Sequence, residues 1–109
     1  MKRAITIEEF ADIYRRTPGE PEFELYFDNR DSCYCIIKFS DSVSFQRCGY
    51  GTGSGESFYP DLETLFTETL VDGIRLREEW SHVEYIVANG CYELCDTEEL
   101  QEFIKWFVE

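Results

Sequence analysis

The sequence predicts an α+β fold in one domain spanning 1–109, with element order α-βββ-α(α)-ββ-α. That order is an N-terminal helix, a three-stranded antiparallel meander, a central helix or helix pair, a β-hairpin and a C-terminal amphipathic helix. Three observations predict it. A capping signal and a helical apolar stripe open the chain. Apolar and polar residues then alternate through 22–27, and Asn89-Gly90 sits between two further alternating runs. With 109 residues, of which 43% are apolar and 17% aromatic, the chain has enough material for one core without covalent staples.

The first helix starts at Thr6, the expected N-cap, with Glu9 three residues on to complete a capping box. Ile5 and Phe10 flank the cap as a hydrophobic staple. Phe10, Ile13 and Tyr14 form the apolar stripe, and Thr17-Pro18-Gly19 ends it.

In the meander, Phe23, Leu25 and Phe27 alternate with Glu22, Glu24 and Tyr26. The second strand, 33–39, is apolar on both faces and is expected to be central. Pairing Phe27 with Cys33, and Phe39 with Val43, sets a register. It places Phe23, Leu25, Phe27, Cys33, Cys35, Ile37, Phe39, Val43 and Phe45 on the core face. Tyr26, Tyr34, Ile36, Lys38, Gln46 and Cys48 then lie on the opposite face.

A loop over 49–57 separates the halves. Pro60 suits the first position of a helix because its missing N–H is not needed there. Leu62, Leu65, Phe66 and Leu70 supply the stripe, Asp72-Gly73 breaks it, and a second helical segment is expected over 74–80. Val83–Cys95 reads as a hairpin on a type I′ Asn-Gly turn, with Val87 facing Tyr92 and Tyr85 facing Leu94. Asp96 caps the last helix with Glu99 at its third position, and Leu100, Phe103, Ile104, Phe107 and Val108 recur at helical spacing.

Charge bounds the function. Twenty-three acids against ten bases give −13. Residues 1–55 carry nine acids and seven bases, while 56–109 carry fourteen acids and three bases. Without a phosphate-neutralising surface, direct nucleic-acid binding is excluded as an expectation, and an anionic membrane surface repels the chain likewise. A basic protein surface is attracted and steered. Glu8, Glu9 and Asp12 interrupt any secretory apolar segment, and five unpaired-looking cysteines point to a reducing, cytoplasmic setting.

Sequence spacing argues against most chemistry. Cys33-x-Cys35 and Cys91-x-x-x-Cys95 lack zinc-ribbon spacing, and in the register above Cys48 lies across the sheet from Cys33 and Cys35, so no three-thiol cluster is expected. No metal or cofactor is predicted. His82 is the sole histidine, so a Cys–His or Ser–His enzyme would have to use it. The glycines from Gly49 to Gly55 stand between a strand and a helix, where backbone amides can cradle an anion, but no Lys or Arg lies between Arg47 and Arg75.

These readings converge on a small, acidic, non-enzymatic interaction module that binds a basic protein partner. Nucleic-acid mimicry by an inhibitor is one specific form of it. The acidic C-terminal half carries the field, and exposed aromatics anchor the contact. The partner-binding candidates are Tyr26, Tyr34 and Ile36 on the sheet, Tyr50 and Tyr59 beside the glycine loop, and Glu78, Glu79 and Trp80. Two alternatives come from other classes: a small-ligand or anion-binding domain on the Gly49–Gly55 loop, and a small enzyme centred on His82.

Overall fold

Helix α1 (Ile7–Arg16) begins where its capping signal lies. The Thr6 hydroxyl accepts from the Glu9 N–H at 3.1 Å, and the Glu9 carboxylate accepts from the Thr6 N–H at 3.0 Å. The computed structural model describes residues 1–48 and 56–109; the glycine run and Tyr50 lie outside the described residues. The remaining elements are strands β1 (Glu22–Phe27), β2 (Cys33–Lys38), β3 (Val43–Arg47) and β4 (Ser57–Tyr59), then helices α2 (Leu62–Thr67) and α3 (Leu76–Glu79). Strands β5 (Val83–Ala88) and β6 (Tyr92–Glu93) and helix α4 (Thr97–Phe103) complete the chain. This is the α+β order that the sequence predicts, with β4 as an added strand where the loop was expected to end.

The meander and the hairpin belong to one six-stranded antiparallel sheet of order β4-β3-β2-β1-β5-β6. Strand β1 is central because its Phe23, Leu25 and Phe27 side is buried while it pairs with β2 on one edge and β5 on the other. The helices pack on that side. The Phe10 ring lies 5.2 Å from both Phe23 and Trp80, and Phe103 of α4 lies 6.3 Å from Phe23. Full burial of each such side chain contributes about 1.5–3 kcal/mol.

The register of β2 differs from expectation by one residue on both its edges. Tyr26, not Phe27, pairs with Cys33, and Lys38, not Phe39, pairs with Val43. Because side chains alternate, the slip turns β2 over. Tyr34 and Ile36 therefore enter the core, at 2% and 0% exposure, and stand with Phe45 and Phe23. Cys33, Cys35, Ile37 and Phe39 take the opposite side. In the middle of the sheet, where the other register would set the smaller Cys35 opposite Leu25, stands Tyr34, with Ile36 opposite Phe23. Lys38 comes with them, and its ammonium reaches the end of α1, donating to the Thr17 and Tyr14 carbonyls at 2.7 and 3.0 Å.

The hairpin is shifted by one as well. Asn89 and Gly90 adopt the positive φ of 52° and 76° that the Asn-Gly pair favours, yet Cys91 is an extra loop residue. Val87 therefore pairs with Glu93 and Ala88 with Tyr92, so that Ile86, Ala88 and Leu94 are buried while Tyr85 and Val87 are half-buried on the other side; Val83, past a bulge, pairs with the core residue Phe27.

Around α2 the expected Pro60 start moves by two residues: Asp61 is the N-cap, accepting from the Thr64 N–H at 2.8 Å, and Leu70 lies beyond the helix end. Asp72 and Gly73 form a left-handed turn, with φ of 62° and 77°, before the second helical segment. At the C-terminus Asp96 caps α4 as expected. The last turn, Ile104–Val108, widens to π geometry and leaves Phe107 partly exposed beside Trp106 at 63%.

Candidate functional site

All helices pack on one side of the sheet, so the other side has no helix across it among the described residues. Its surface is built by alternation. Strand β1 contributes Glu22, Glu24 and Tyr26; β2 contributes Cys33, Cys35 and Ile37; β3 contributes Ser44 and Gln46. Strand β4 adds Phe58, and β5 adds Tyr85 and Val87. Tyr26 and Tyr85 oppose each other across the β1–β5 ladder and stack, with centroids 4.4 Å apart and planes inclined by 12°. At the far edge Phe58 lies 59% exposed against Phe39, centroid to centroid 5.8 Å. The charged residues that β1–β5 place on this face, Glu22 and Glu24, are both acids. Neither is in an ion pair among the described residues.

The slip in β2 creates a thiol corner on the same face. Glu24 pairs with Cys35, Cys35 pairs with Gln46, and Cys48 follows two residues later, its N–H donating to the Cys33 carbonyl at 2.8 Å. The Cys35 and Cys48 sulfurs are 2.9 Å apart. Ligand atoms of Glu24, Cys35 and Cys48 all lie within 4.8 Å of one another. The expectation that Cys48 stands apart from Cys33 and Cys35 is thus overturned, because turning β2 over moved both thiols to the side of Cys48. Burial pushes the Cys35 thiol up to about 12, and burial also raises Cys48. Their protons are therefore held tightly. Tyr26 extends the corner, its hydroxyl 3.5 Å from the Glu24 carboxylate, with burial raising its phenol to about 12.

The other predicted residues are placed as follows. Tyr34 and Ile36 are core residues, and do not stand beside Tyr26. The Tyr34 hydroxyl donates to Asp72 at 2.6 Å. Tyr59 is half-buried on the helix side, paired with Val43. Trp80 is only 8% exposed, and its indole N–H donates to the Ile5 carbonyl at 2.8 Å. Glu79 is tied to Arg30 at 2.9 Å, whereas Glu78 lies on the surface against Arg75, also at 2.9 Å. His82 sits 2.9 Å from the Asp28 carboxylate, and no hydroxyl or thiol among the described residues hydrogen-bonds to it.

Arginines of the first half lie against acids of the second: Arg15 on Glu63, Arg30 on Glu79 and Arg47 on Asp72, with Lys2 on Glu93. Arg3, Arg16, Arg75 and Arg77 have carboxylate partners too, Lys38 caps α1, and Lys105 lies over the Trp106 ring. Each of the ten bases is thereby engaged, four of the first half with acids after position 55.

Sequence reasoning missed Tyr85, Glu24, Cys35 and Cys48 as neighbours. A signal for them existed in the turns. A two-residue loop at Ser40-Asp41 pairs Phe39 with Ser42, as the Phe39 N–H donating to the Ser42 carbonyl at 2.9 Å now shows, and puts all three thiols on one face. The chain matches no family model, no curated protein and no solved structure in comparisons of sequence and fold.

Proposed function

We propose that this protein is a non-enzymatic interaction module that binds a basic protein surface through the sheet face that carries no helix among the described residues. One observation carries the reading. That face combines apolar and aromatic side chains, centred on the Tyr26–Tyr85 stack, Ile37 and Val87, with strand charges that are carboxylates alone. Stacked tyrosines give large contact area at little conformational cost, and unpaired Glu22 and Glu24 attract and orient a cationic partner. The surface favours this partner over nucleic acid, because every base is already engaged within the chain and none is left to neutralise phosphate.

The test is capture of binding proteins at low and high ionic strength by the wild type and by Val87→Lys. A partner of basic composition, retained at low salt, released as salt rises and lost with Val87→Lys, supports the reading. Capture that ignores both salt and the substitution refutes it.

A further inference from the structure

We propose that Glu24, Cys35 and Cys48, with Cys33 as fourth ligand, form a binding site for a thiophilic divalent cation of the zinc type. The inference goes beyond the partner-binding reading and does not depend on it. Three adjacent strands supply the donors. Glu24 of β1 is directly opposite Cys35 of β2, Cys33 lies two residues away on the same side, and Cys48 stands just past the end of β3. The ladders hold the backbone, so the donors are gathered before any ion arrives. The three-ligand group already falls within 4.8 Å, and Cys35 is 4% exposed.

Ligand chemistry selects the ion. Calcium and magnesium require shells of oxygen donors, which two or three sulfurs cannot provide. Thiolates with one carboxylate suit zinc, which takes four ligands at about 2.3 Å from sulfur and 2.0–2.2 Å from oxygen. On binding, each ligating thiol gives its proton to solvent and the resulting thiolate coordinates the ion. No electron transfer is involved.

A disulfide is the competing fate of these sulfurs. Cys35 and Cys48 are diagonal neighbours, whose α-carbons in an antiparallel pair stand about 7–8 Å apart. Disulfides span about 4.4–6.8 Å. Bridging Cys48 to Cys33 directly opposite would use two sulfurs and leave the Cys35 and Glu24 pair without a role. A cation takes Glu24, Cys35 and Cys48 in their present arrangement, and Cys33, two residues from Cys35 on the same side of β2, completes the set by a turn of its side chain.

The experiment uses the full chain, fully reduced and freed of metal by a chelator, titrated with cobalt(II) as a spectroscopic substitute for zinc. The expected result is one cobalt per chain, with thiolate-to-cobalt charge transfer in the near ultraviolet and visible bands of tetrahedral intensity. Zinc should displace the cobalt and bleach both. Cys48→Ser and Cys35→Ser should each weaken binding by more than the roughly 10–100-fold that loss of a supporting partner costs, and Glu24→Gln should weaken it while the charge transfer remains. Cys91→Ser, at the exposed hairpin loop, should bind as the wild type does. Far-ultraviolet dichroism separates loss of ligation from loss of fold, and the wild-type spectrum stands even where a variant does not fold. Absence of charge transfer in the wild type overturns the proposal. So does equal loss in Cys91→Ser, or a protein whose Cys48 is recovered in a disulfide and takes up no cobalt after reduction.

Discussion

The Tyr34 hydroxyl donates to the Asp72 carboxylate at 2.6 Å, joining the core face of β2 to the left-handed turn that leads into α3. Arg47 holds the same carboxylate from β3 at 2.8 Å, and Tyr34 and Arg47 hold Asp72 below its ordinary carboxylate pKa. The ring beneath stacks on Phe45 with centroids 5.6 Å apart, so one residue ties packing to a turn 38 positions away.

Tyr34→Phe keeps the stack and removes the donor. Hydrogen bonds to charged groups contribute about 1.5–3 kcal/mol, and the variant should lose stability in that range. Urea unfolding reads it as a lower midpoint at unchanged slope. In a double-mutant cycle with Asp72→Asn, additive losses would mean that the two side chains do not act together.

The two isoleucines of β2 distinguish the observed register from the one expected. Ile36 is fully buried and Ile37 is half-buried on the opposite face. Ile36→Ala should cost about 2–5 kcal/mol through lost transfer energy and a residual cavity, and Ile37→Ala well below that. The reverse order in thermal or urea unfolding would favour the register expected from the sequence, without the one-residue slip.

Acid stability has a legible contributor at the start of α1. The Arg3 guanidinium, foremost, and the Thr6 N–H hold the Glu9 carboxyl down to about 2 from 4.5. A carboxylate depressed in the folded state contributes stability that is present above its unfolded value and is lost as pH falls through its folded value. Glu9→Gln, which keeps the capping-box geometry, should therefore flatten the loss of stability between pH 4.5 and about 2. The side chain is partly solvated, so the change is modest. Parallel pH profiles for variant and wild type would remove Glu9 from the account.

Local signals were readable by themselves wherever neighbouring residues decide the outcome. The Thr6–Glu9 box, the Asp96 cap, the alternation of β1 and the positive φ of Asn89-Gly90 each involve groups a few residues apart, and each is found. Strand β2 is different, because Cys33, Tyr34, Cys35, Ile36 and Ile37 are apolar on both faces and alternation gives no preference between them. Only the assembled interior decides, by the volume it must fill and by the helix end that Lys38 must reach. That choice buried Tyr34, bared Ile37 and brought Cys33 and Cys35 to Cys48. Folding likewise set bases of the first half against acids of the second, a pairing through space that position along the chain does not encode.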